Sequence, residues 1–126
     1  MIQARILAVG ALFLAAVTLL GQLGEPVKPI TPAEARKFIG TNAVVVGQVV
    51  EVHQTPKVAS LNFEQKYPRQ EFSAVVFEGN FRLFTNLTTF AGKTVEVSGR
   101  VTEYRGKPQI IVNSRGQMRL LEKDQK

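Results

Sequence analysis

An apolar run from Ile6 to Leu20, broken only by Thr18, opens the chain, and beyond Gly24 the pattern changes to short apolar segments separated by glycine, proline and charge. The run follows a start that carries Arg5 and has the layout of a signal peptide. Neither Gly21, preceded at the outer position by Leu19, nor Gly24, preceded by Gln22, makes a good cleavage site. Extended to Leu23, the segment also reaches the lower length limit of a membrane-spanning helix, for which about 17–25 residues are needed. Residues 1–24 are therefore expected to be a signal peptide or a membrane anchor. Contact with a membrane is expected only through residues 6–23, if they stay uncleaved, with the folded part exported, periplasmic or extracellular.

Residues 25–30 carry Pro26 and Pro29 and predict an extended linker. Thr31-Pro32-Ala33-Glu34 then reads as a capped helix start, with Thr31 and Glu34 placed to exchange hydrogen bonds and Pro32 where no donor is needed. Ala35, Phe38 and Ile39 share one side of this short helix, a spacing suited to plugging the end of a barrel. Strands are predicted over Ala43–Val52, Val58–Phe63 and Phe72–Phe77, with Gly47 marking a bulge or sharp bend in the first. Phe84, Leu87 and Phe90 recur at threes and predict a short helix that Gly92 ends. Thr94–Tyr104 alternates, with Val95, Val97 and Val101 on one face and Glu96, Arg100 and Thr102 on the other. Arg105-Gly106-Lys107-Pro108 makes a tight turn into a last strand, Gln109–Asn113. The prediction is one all-β domain over residues 31–115, in the order β-β-β-α-β-β, with a polar tail over 116–126.

This pattern resembles the OB-fold family, in particular its anticodon-binding-like nucleic-acid modules and the small OB domains of secreted bacterial proteins. The resemblance spans Phe38 to Val112. It is carried by Val46-Gly47-Gln48-Val49, Leu61-Asn62-Phe63 with Tyr67-Pro68, Phe72–Phe77, Gly92-Lys93-Thr94-Val95, Ser98-Gly99-Arg100-Val101 and Tyr104 with Gly106-Lys107-Pro108-Gln109-Ile110. It implies a five-stranded Greek-key barrel that binds nucleic acid. Barrels of this kind also bind oligosaccharides and proteins. Glu64 stands where the family pattern has glycine and is expected to bring a negative charge near the ligand face. The recurrence of Gly47-Gln48-Val49 and Gly99-Arg100-Val101 is expected to reflect shared strand curvature.

Charge adds a candidate chemistry. Lys and Arg outnumber Asp and Glu by 16 to 10, and of these cations only Arg5 lies in the leading segment. The folded part keeps the excess, which favours polyanionic partners and also serves solubility. Binding of single strands needs cations along the phosphates and exposed aromatic faces for the bases. Lys66, Tyr67 and Arg69 fall in the connection between strands two and three. Arg100, Tyr104, Arg105 and Lys107 surround the turn between strands four and five, and Lys57 lies between strands one and two. Phe63 and Phe72 are left open between core and ligand face by alternation alone.

Chemistry of other kinds finds few residues. The chain has no cysteine and a single histidine, His53, so disulfides, thiolate sites and a paired-histidine metal site are excluded. No cofactor and no catalytic residue is expected. The glycines form no phosphate-cradling loop and the serines lack a nucleophile context. The expected partner is single-stranded nucleic acid, with an anionic glycan or a protein as the alternatives.

Overall fold

A computed structural model of the chain describes residues 27–121; the leader read in residues 1–24 lies outside them. The capped start is present, as Glu34 N donates to Thr31 Oγ1 at 3.2 Å and Thr31 N to Glu34 Oε1 at 2.9 Å. The turn that follows, η1 (Pro32–Phe38), is a 3-10 helix. Pro32 and Ala35 are buried and Phe38 packs on the core, whereas Ile39, predicted on the packed side, is exposed.

Strands β1 (Asn42–Gln54), β2 (Val58–Phe63), β3 (Ser73–Phe77), β4 (Thr94–Tyr104) and β5 (Lys107–Ile111) close into a barrel in the order β1-β2-β3-β5-β4, with β4 returning to β1. All pairs are antiparallel except β3 with β5. The first strand serves two partners: residues 42–48 pair with β4 and residues 49–54 with β2. Its bulge lies between Val49 and Glu51, two residues beyond the predicted site. Gly47 itself pairs regularly with Val95. Its missing side chain makes room for η1, because a Cβ there would sit 2.5 Å from Pro32 Cγ.

Inward-facing Val45, Val49, Leu61, Phe63, Phe72, Val76, Val95, Val97, Val101 and Ile110 are fully buried and form one core. Phe63 and Phe72 belong to it and meet edge-on with ring centroids 5.2 Å apart. The predicted helix between strands three and four is instead two 3-10 turns, η2 (Glu78–Leu83) and η3 (Leu87–Phe90). Asn86 separates them: its backbone is extended and its side chain takes the amide of Thr88 at 3.1 Å, competing with continued helix.

Both predicted domain boundaries move outward. Ile30, assigned to the linker, bridges Val45, with Ile30 N on Val44 O at 2.8 Å and Val46 N on Ile30 O at 3.0 Å. The tail predicted over 116–126 supplies the last two residues of η4 (Arg115–Gln117) and a sixth strand, β6 (Met118–Leu120), paired with the first half of β4. Met118 is buried, and Gln117 joins two strands by donating from Nε2 to Ser98 O and Ile111 O at 3.0 and 3.1 Å. Arg119 pairs with Glu96 at 2.7 Å on the exposed side, a contact of small energetic weight.

Candidate nucleic-acid interface

The outward face of the barrel carries a transverse row set by strand register: Glu51 opposite Asn62, Asn62 opposite Ser73, Ser73 beside Gln109, and Gln109 opposite Thr102. Part of this row is bonded to itself. Ser73 Oγ donates to Asn62 Oδ1 at 2.7 Å, and Asn62 Nδ2 donates to Glu51 Oε2 at 2.6 Å. Glu51 Oε2 also accepts the backbone N–H of Tyr67 at 2.8 Å. A polar line across three strands thus anchors the loop between β2 and β3.

That anchor depends on charge. The N–H of Tyr67 chiefly lowers the Glu51 pKa below its ordinary value, against the opposing effect of burial, with smaller help from Asn62 and from the charges of Lys66 and His53. A lowered folded pKa means the carboxylate stabilises the loop above the unfolded value, and the contribution is lost as pH falls through the folded value. The protection of the Tyr67 amide against exchange, relative to an unstructured amide at the same pH, is therefore expected to fall as pH drops through the acid range. Glu51→Gln should remove that acid-dependent step, and an unchanged pH profile in the variant would show that another group holds the loop.

The turn between β4 and β5 reaches the same end. Arg105 and Gly106 have φ of 52° and 81° between the paired residues Tyr104 and Lys107, the geometry of a two-residue primed hairpin turn. Lys107 Nζ donates to Gln70 O at 3.0 Å and so ties this turn to the β2–β3 loop. Within the loop, Arg69 N bonds Lys66 O at 2.8 Å. Tyr67 and Tyr104 are 62% and 57% exposed, and the Arg105 guanidinium lies 5.1 Å from the Tyr104 ring centroid.

Of the residues read from sequence, Lys66, Tyr67, Arg69, Tyr104, Arg105 and Lys107 come together at this rim. Lys107 is half-buried and engaged with Gln70, so it acts as a tether between the loops. Arg100 points outward from β4 opposite Asn42, about 13 Å along the strand from Tyr104. Lys57 lies at the other end of the barrel, where its carbonyl accepts Glu78 N at 2.9 Å. Glu71 in the β2–β3 loop and Glu103 near the end of β4 are exposed beside the rim cations in sequence and reduce their surplus. Glu64 does not face the ligand side as expected. It adopts φ 69°, and its carboxylate accepts Gln48 N at 3.1 Å beside Gly47 and Pro32.

Sequence reasoning missed Phe77, exposed on the outward face and paired with Val58 near the Lys57 turn. Ala74–Phe77 is apolar throughout, so no alternation marked which side chains face out. It also missed Glu51, Asn62 and Ser73, whose association depends on strand register. His53 is exposed on β1 opposite Ser60. Among the described residues there is no group of three or more His, Cys, Asp or Glu able to hold a metal ion.

No family model matches the chain, and no curated protein matches it. Solved structures do share its fold. An OBody, AM1L10, bound to hen egg-white lysozyme aligns over 78% of this chain and 97% of its own, with a TM-score of 0.57 and 22% identity. The aspartyl-tRNA synthetase of Entamoeba histolytica aligns over 78% of this chain with a TM-score of 0.52 and 12% identity. The chain matches 22% of the synthetase's length. The barrel is of the OB type.

Proposed function

We propose that the barrel is a non-enzymatic, sequence-tolerant binding module for single-stranded nucleic acid. The observation that carries this reading is the Lys107–Gln70 tether, which gathers two exposed tyrosines and the cations Lys66, Arg69 and Arg105 on one rim. Exposed rings with adjacent cations suit stacked bases and phosphates. The polar residues on which sugar hydroxyls would depend are less available, because Asn62 and Ser73 are buried and bonded to each other. A docking role toward another protein is the second reading, favoured by the OBody, whose structure is a complex with lysozyme.

The test is a titration with single-stranded DNA and RNA of several sequences across a range of salt. Affinity should vary little with sequence and fall as salt rises, because bound cations release counterions from phosphate. Arg105→Asn removes one cation while supplying a residue that the primed turn favours. It should leave the fold intact and flatten the salt slope by about 0.7 for one lost single-strand phosphate contact. An unchanged slope in the folded variant, or no binding at low salt, would reject this reading.

The module is further proposed to act outside the cytoplasm, on the layout of residues 1–24. A reporter active only after export, fused behind the first 30 residues, should be active; silence would reject export.

A further inference from the structure

A second concave site lies at the opposite end of the barrel. The strands β3 and β5 run parallel from the Tyr67–Arg105 rim and lead into η2 and η4, and between these turns is a cleft of about 330 Å³. Its apolar lining includes Phe90 and Met118, which are nearly fully buried, and Phe84, which meets Phe90 edge-on at 6.0 Å. Its charged lining is Arg82 and Arg115, with no acidic residue. Arg115 Nε donates to Leu83 O at 3.1 Å, which fixes the guanidinium beside the cleft. Among the described residues neither arginine forms an ion pair.

Some neutral polar atoms of the lining are already engaged, though the Thr85 hydroxyl and Asn86 Nδ2 are not among them. Asn86 Oδ1 accepts from Thr88 N and Oγ1, and Thr89 Oγ1 donates to Asn86 O at 2.6 Å. The charged donors of the lining are the two guanidinium groups, whose planar forks match carboxylate and phosphate oxygens, and Thr85 and Asn86 add neutral donors beside them. Two like charges on one cleft are also relieved by an anion between them.

We propose that this cleft binds a small amphipathic anion, an oxyanion head held by Arg82 and Arg115 with an apolar body against Phe84, Phe90 and Met118. The volume falls at the small end of the range of about 300–1,000 Å³ found for ligand pockets. The site shares no residue with the nucleic-acid rim and stands independently of it.

The chain has two methionines, Met1 and Met118, so methyl labelling of methionine in the full chain places a reporter on the floor of the cleft. Benzoate and phenyl phosphate serve as probes, benzylammonium as the cationic counterpart, and inorganic phosphate as a head without a body. Benzoate, phenyl phosphate or both should shift the Met118 methyl saturably, the tighter of them identifying the preferred head. Benzylammonium should not. Inorganic phosphate should bind more weakly than phenyl phosphate. Arg82→Ala and Arg115→Ala should each weaken binding by about tenfold, as expected for loss of a charged hydrogen-bonding partner, and Arg82→Glu should abolish it. Equal binding of benzylammonium, no saturable shift with either anion, equal binding of inorganic and phenyl phosphate, or affinity unchanged in folded Arg82 variants would each overturn the proposal.

Discussion

Gln117→Ala is expected to destabilise the barrel by about 2–4 kcal/mol, although the residue lies in a segment whose composition reads as a tail. Its Nε2 supplies the part-buried carbonyls of Ser98 and Ile111, and its Oε1 accepts the amides of Asn113 and Ser114 at 2.7 and 3.1 Å. The exposed amides can turn to water, whereas each part-buried carbonyl left without a donor costs about 1–3 kcal/mol. Gly99 provides the space: with φ 146°, a Cβ there would lie 2.8 Å from Gln117 Nε2 and 3.0 Å from Ile110 Cγ2. The expected cost appears as a lower urea midpoint with little change in slope. Gln117→Glu keeps an acceptor for the two amides but loses the donor, and should be at least as harmful to the link between β4 and β5. A stability loss below about 0.5 kcal/mol in the alanine variant would mean that β6 and Met118 hold the segment without this side chain.

The largest expected effect on binding comes from the two tyrosines. Tyr67→Ala and Tyr104→Ala should each cost about 1–3 kcal/mol of affinity for single-stranded nucleic acid, the value of one stacked base. The salt slope should stay nearly unchanged, since no phosphate contact is lost. Both side chains are more exposed than buried, so stability should change little. Fluorescence titration of the single and double variants at two salt concentrations separates this outcome from that of Arg105→Asn. If both tyrosine variants bind as tightly as the parent protein, the rings are surface decoration and the rim does not bind bases.

Much of the fold was legible because it is encoded locally. The Thr31–Glu34 capping exchange, the turn at Arg105-Gly106 and the alternation of Thr94–Tyr104 each depend on residues a few positions apart, and each appears in the structure. The rim cations and tyrosines were legible as residue types in two loops. Their convergence was not, because it depends on the bond from Lys107 to Gln70, 37 residues apart.

Other outcomes depended on what each segment met in space. Phe63 and Phe72 could face either way by local pattern, and mutual burial placed both inside. Gly47 and Gly99 look alike in sequence, yet one yields to Pro32 of η1 and the other to Gln117 near the far end of the chain. By itself the sequence determined where the chain extends and turns and which groups its loops carry, because steric and capping preferences act over a turn or less. The tertiary structure alone decided that residues 116–121 join the barrel and that the two loops share a rim. Those choices follow from strand register and from satisfying backbone groups contributed by distant segments.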